Sequence, residues 1–260
     1  MPRFAANLSL MFTEHPFLDR FDAAAEAGFD AVEFLFPYEH PADAIAERLR
    51  RNDLAPALFN TPPGDWERGE RGTASVPGRS AEFREGIERA LDYAGTTGTR
   101  RLHLMAGQAA SDDPAAASAF RRSVEWAADR AVGTGVTFVL EPINGRDVPG
   151  YFLDDFDRAE AVIAAVARPN VRLQFDIYHR QILHGDVTVA LRRAMAVIGH
   201  IQIASVPSRN EPDGEELNLP LLFAELDRLG YDGFVGCEYR PRAGTLDGLG
   251  WFAPYARRSA

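Results

Sequence analysis

The chain has no lysine; every basic residue in it is arginine. That absence excludes chemistry built on a lysine amine, such as Schiff-base aldolases and pyridoxal-phosphate enzymes. It also excludes the P-loop, which needs its lysine. Cysteine is nearly as scarce. Cys237 is the single one, so no internal disulfide can form and nothing points to an oxidising compartment. Positive charge is in deficit overall. A formal net charge of −10 argues against a nucleic-acid or anionic-membrane surface. No apolar run is long enough to cross a bilayer, and the opening MPRFAANLSLMF reads as a strand, not a signal peptide. The expectation is a cytoplasmic protein with no nucleic-acid and no membrane partner. The sequence leaves a homo-oligomer open, since no exposed apolar helix face can be located in it.

What is present is an alternation of strand and helix, repeated eight times. Strands are expected at Phe4–Leu10, Ala31–Phe36, Ala55–Asn60, Arg101–Met105, Val136–Glu141, Val171–Asp176, Ile198–Ile203 and Phe234–Tyr239. Amphipathic stretches between them include Phe17–Ala27, Ala42–Arg51, Glu82–Tyr93, Pro114–Val132, Phe156–Ala167, Val187–Met195 and Leu219–Leu229, with a last one in Thr245–Tyr255. Strands alternating with helices argue for a parallel sheet. Eight units in 260 residues favour α/β closure into one (β/α)8 barrel domain, residues 1–260. An open doubly wound sheet is the alternative, but no G-x-G-x-x-G follows the first strand. One loop is long: TPPGDWERGERGTASVPGR, residues 61–79. It follows the third strand and therefore rises at the barrel mouth, where Trp66 suits a lid packing over a site.

Four segments, VTFVLEPIN, VRLQFDIYH, IGHIQIAS and FVGCEYRP, place Glu141, Asp176, Gln202 and Glu238 at the ends of successive strands. Strand C-termini of a closed barrel converge on one mouth. Unpaired carboxylates gathered there would repel one another, and a divalent cation removes that cost. The all-oxygen set favours Mg²⁺ or Mn²⁺ over structural Zn²⁺. Any one of these carboxylates taken alone reads equally well as a helix cap or an arginine partner. Period two along the strands puts His200 one layer below Gln202 as a support residue, and makes Asn7, Glu33, Asn60 and His103 inward groups of the first four strands. Asn7 and Asn60 read equally as turn formers. His179, in the loop after Asp176, is placed to hydrogen-bond a substrate oxygen or to face solvent. Arg209 and Arg240, with the loop's Arg68 and Arg71, are candidates for an anionic substrate.

The stretches FAANLSLMF, GFDAVEFLFPYEH, GDWERGERG, LEPIN, QFDIYH, GHIQIAS and GCEYRP span nearly the whole chain. Together the chain resembles the hydroxypyruvate isomerase family of xylose-isomerase-like TIM barrels. The resemblance implies an aldose–ketose isomerase acting on a small hydroxy-oxo acid, hydroxypyruvate interconverting with 2-hydroxy-3-oxopropanoate (tartronate semialdehyde). It implies Glu141 and Glu238 as the proton donor and acceptor, and Glu141, Asp176, Gln202 and Glu238 as metal ligands. It implies substrate contacts for His179 and Arg209. Two positions depart from related patterns: Gln202 stands where ketose epimerases and barrel-type endonucleases carry His, and Arg240 where Lys is expected. The elementary chemistry agrees, since isomerisation through an enediolate needs a carboxylate base and an electrophile on the oxygens. The nearest alternative is a 2-oxo-tetronate isomerase, followed by a ketose 3-epimerase. An abasic-site endonuclease wants more histidines and a basic face, and a sugar-binding protein would not need two opposed glutamates.

Overall fold

The eight apolar runs form eight parallel strands in the computed structural model, which describes residues 1–257. Residues 258–260 of the predicted unit lie outside that description. The strands are β1 (Arg3–Asn7), β2 (Ala31–Phe34), β3 (Ala55–Asn60), β4 (Arg101–His103), β5 (Thr137–Leu140), β6 (Val171–Asp176), β7 (Ile198–Ile203) and β8 (Phe234–Cys237). They pair in sequence order, and β1 closes on β8. The fold is a (β/α)8 barrel, as the alternation predicts.

The outer helices are α1 (Arg20–Glu26), α2 (Ala42–Arg51), α3 (Ser80–Thr97), α4 (Pro114–Arg130), α5 (Phe156–Val166), α6 (Ile177–Leu183), α7 (Val187–Ala194) and α8 (Leu219–Arg228). Residues Leu246–Trp251 form a 3₁₀ turn where a last helix was expected. Side-chain caps explain several starts. Asp113 accepts from Ala115 N with Pro114 opening α4; Asp155 caps α5 at Arg158 N, and Asn218 caps α8 at Leu221 N. Among the described residues no helix is long and apolar enough to cross a membrane.

Two irregularities set which side chains face inward. Between β6 and β7, Leu173 pairs with Ile198 but Gln174 pairs with His200, so Gly199 is the extra residue of a bulge. Only glycine fits there, because a Cβ would stand 2.6 Å from Cβ of Arg172. The shift pairs Asp176 with Gln202 and puts both on the inner face. A similar shift between β2 and β3 pairs Glu33 with Leu58, leaving Ala57 as the extra residue.

Candidate active site

The strand ends define a cavity of about 450 Å³ at the C-terminal mouth. Its wall contains Glu141 and Glu238, with His103, His179, Asn60, Trp66, Arg209 and Arg240. Asn7, Asp176 and Gln202 lie beneath it and are almost completely buried. The strand ladders stop one residue short of Glu141 and Glu238, so both carboxylates begin the loops that leave the barrel.

Glu141, Asp176, His179 and Glu238 each offer a ligand atom, all within 4.8 Å of one another. Asp176 does two jobs with its two oxygens. Oδ1 accepts from Tyr178 N and caps α6, while Oδ2 is buried with no hydrogen-bond partner. Oε1 of Glu141 is likewise buried and unpartnered. Unpartnered carboxylate oxygens in a dry mouth are costly unless a cation or a proton joins them. The cluster therefore fits a metal ion.

Electrostatics show the same cost. Burial raises Glu141 well above the usual carboxylate range, and the Glu238 and Asp176 charges add to it. Burial pushes Glu238 up to about 8, against the opposing pull of Arg209. Asp176 is pushed by burial up to about 6. Burial holds His103 down to about 3 and His179 well below the ordinary imidazole value, so both rings are neutral.

The structure corrects one local reading: His179 is not in a loop but on α6, the helix that Asp176 caps. Its Nδ1 accepts from the Asn144 side-chain amide at 2.6 Å and faces Asn144 N at 3.3 Å. The Asn144 amide is oriented in turn by its Oδ1, which accepts from Asp147 N. With Nδ1 an acceptor, Nε2 carries the hydrogen in the neutral ring. Nε2 lies 3.6 Å from Asp176 Oδ2 and 3.9 Å from Glu141 Oε1. His179 thus enters the site as a donor, which argues against it as a metal ligand. His103 Nδ1 lies 3.3 Å from Glu141 Oε2, and neither of its ring nitrogens has a hydrogen-bond partner.

Arg209 is already engaged. Nη2 donates to Glu238 Oε2 at 2.6 Å, Nη1 donates to Asp147 Oδ2 at 2.9 Å, and the guanidinium lies 4.9 Å from the centre of the Tyr178 ring. Its backbone is left-handed, with φ +56°, a strain that the turn from Ser205 to Asn210 holds in place. Arg240 lines the cavity but is exposed, whereas Arg71 of the long loop lines the wall half-buried.

Beneath the cavity, Gln202 Nε2 donates to Glu33 Oε1 at 2.8 Å, and its Oε1 accepts from Gln174 Nε2 at 2.5 Å. Glu33 Oε1 also accepts from Asn7 Nδ2, while Oε2 faces His200 Nε2 at 2.7 Å. Asn7 and His200 therefore brace a buried carboxylate, and Glu33 in turn fixes the amide plane of Gln202. Sequence periodicity locates Glu33 as inward but gives no sign of this role. Asn144 is the last residue of LEPIN, but the motif gives no sign of its contact with His179; Asp147, in the loop after it, carries no motif signal.

The geometry is that of an acid/base site at the mouth of a closed barrel. Residues 21–255 match the family model for the xylose isomerase-like TIM barrel. The chain is 56% identical to 2-oxo-tetronate isomerase of Cupriavidus necator, over 99% of this chain and 100% of that protein. It is 39% identical to hydroxypyruvate isomerase of Escherichia coli, over 98% of this chain and 100% of the other. A solved structure of AP endonuclease, family 2, from Brucella melitensis superposes with a TM-score of 0.97 at 50% identity, covering 98% of this chain and 100% of that one. The chain belongs to the hydroxypyruvate isomerase and 2-oxo-tetronate isomerase family of xylose isomerase-like barrels, and it is an isomerase.

Proposed function

We propose that this isomerase moves the carbonyl of a four-carbon 2-oxo acid, 2-oxo-tetronate, between C2 and C3. The observation that carries the reading is the higher identity to 2-oxo-tetronate isomerase, 56%, than to hydroxypyruvate isomerase, 39%. The three-carbon substrate expected first from the sequence becomes the second reading. The two reactions differ only in a hydroxymethyl group on C3, so one set of catalytic groups serves both.

Glu141 and Glu238 are the proton-transfer pair. One carboxylate takes the hydrogen from C3, giving an enediolate, and C2 receives a proton from the same or the opposite glutamate. Their raised affinity for protons suits a group that must accept one from carbon and give it back. The exchange also moves a hydroxyl hydrogen from O3 to O2. His179 Nε2–H is aimed into the site to donate to an enediolate oxygen. Neutral His103, beside Glu141, keeps that carboxylate dry without adding charge. Trp66 and the loop 61–79 shield the enediolate from water. Glu141, Asp176, Gln202 and Glu238 would hold Mg²⁺ or Mn²⁺, whose charge stabilises negative charge on adjacent substrate oxygens. Asn60 in the wall and Asn7 below it serve the site by contact and by support respectively.

The name of the Brucella structure raises a nuclease reading. The buried acidic mouth and the net charge of −10 argue against a DNA partner here. The test is NMR in D₂O with 2-oxo-tetronate and with hydroxypyruvate, each with Mn²⁺, with Mg²⁺ and with chelator. Isomerisation of the four-carbon acid at a kcat/KM about tenfold or more above that of hydroxypyruvate supports the proposal. The reverse ratio assigns the three-carbon reaction, and no isomerisation of either acid removes both.

A further inference from the structure

We propose that Arg71 is the anchor for the substrate carboxylate, an inference that rests on the oxo-acid reading above. An anionic substrate entering a mouth that holds Glu141, Asp176 and Glu238 meets charge of its own sign. It needs a guanidinium in the wall that is fixed, partly dry and has a pair of N–H groups not already engaged. Arg209 fails the last condition, since Glu238 and Asp147 occupy it. Arg146 and Arg240 line the cavity but are exposed. Arg68 is turned to solvent beside Asp65.

Arg71 meets all three conditions. Its backbone is pinned on both sides: Gly107 N donates to Arg71 O, and the next residue, Gly72, donates N–H to Pro63 O at 2.7 Å. Gly72 also bridges antiparallel to Ala106, just beyond β4. That approach requires glycine, because φ is +115° and a Cβ would stand 2.4 Å from Met105 O. The side chain is held as firmly. The guanidinium lies 3.5 Å from the centre of the Trp66 ring, and Nη1 donates to Glu70 O at 2.7 Å and to Trp66 O at 3.3 Å. Trp66 rests edge-on against Phe36 at 5.0 Å. Among the described residues no carboxylate pairs with Arg71, and its Nε and Nη2 make no hydrogen bond. Those two N–H groups form the fork that receives a carboxylate bidentately. The cavity wall thus carries a preset carboxylate receptor in the same space as the proton-transfer pair. Binding there turns C1 toward the loop and leaves C2 and C3 for the glutamates. It makes the acid group, not the sugar-like end, the feature by which substrates are selected.

The experiment uses the full-length protein with Mn²⁺ and compares wild type with Arg71→Met and Arg71→Lys. Two readouts are taken: KM and kcat for 2-oxo-tetronate, and calorimetric binding of threonate, which carries the carboxylate but has no carbonyl to isomerise. Melting temperature verifies that each variant is folded. The expected result is a KM raised on the order of 30-fold in Arg71→Met with kcat changed far less, a smaller rise in Arg71→Lys, and threonate binding lost in Arg71→Met. Wild-type KM and threonate affinity in a folded Arg71→Met would overturn the anchor while leaving the isomerase reading intact. Arg71-dependent threonate binding in a wild type that isomerises neither acid would keep the anchor and remove the proposed reaction.

Discussion

Gly236 and Glu33 compete for one space inside the barrel. A Cβ on Gly236 would stand 2.2 Å from Oε2 of Glu33 and 2.4 Å from Oε1. The bare backbone of β8 is what admits a fully buried carboxylate from β2. Three side chains lock that carboxylate in place, so it has little freedom to yield. Gly236→Ala should therefore destabilise the protein by about 1–3 kcal/mol, the usual cost of overpacking. Urea unfolding measures it; an unchanged midpoint would show that the Glu33 network can move aside.

Glu141→Gln and Glu238→Gln should separate stability from catalysis. Each removes one member of the proposed proton-transfer pair, and turnover should fall about a thousandfold. Each also removes one of several mutually repelling buried carboxylates, so the chelated variant should melt higher than chelated wild type. Steady-state kinetics and calorimetry test the pair of effects. Near-normal turnover in both variants would sink the proposed mechanism.

The pH dependence follows from the raised carboxyl groups. Glu238 moves from an ordinary value of 4.5 up to about 8, chiefly through burial. Above pH 4.5 the unfolded chain has released this proton, while the fold keeps it until about pH 8. Stability of the chelated protein therefore declines as pH rises through that window and then levels off. Between pH 6.5 and 8 the expected fall is roughly 2–4 °C per pH unit for each retained proton. Mn²⁺ or Mg²⁺ favours the ionised carboxylates and should flatten or reverse the slope. A flat profile in chelator would mean that these carboxylates are ionised in the fold.

The Asn144–His179 contact predicts a tautomer. Nitrogen-15 NMR of the chelated protein should show His179 protonated at Nε2 and bare at Nδ1 across the neutral range. Asn144→Ala should mix the tautomers and lower turnover about tenfold, because the donor is no longer fixed toward the site. A bare Nε2 in the wild type would restore His179 as a candidate ligand.

Much of this was legible in the sequence because barrel strands are buried on both sides and read as apolar runs. β3, β6 and β7 match their expected spans residue for residue. The expected ends of β5 and β8 overrun because nothing in their apolar runs marks the stop of the ladder at Leu140 and Cys237, one residue before each glutamate. Helix α6 has no sequence signature of its own for a different reason. It begins at the residue after the strand, leaving no turn segment to announce it, and its cap is Asp176, which the pattern assigns to β6. Long-range partners left no trace at all. Arg209 meets Asp147 across 62 positions, and Gly236 faces Glu33 across the barrel, so neither pairing has a local signature.

The bulge at Gly199 makes the inner lining a matter of parity. Every residue of β7 beyond it owes its side of the sheet to one unpaired position. Loss of that glycine by a single-codon deletion would turn Ile201 and Ile203 toward the mouth and send Gln202 out among the helices. Exchange of Gln202 for another side chain would alter one group and leave that parity alone. The side chains that this strand presents can therefore diversify by point substitution, whereas its length cannot drift by one.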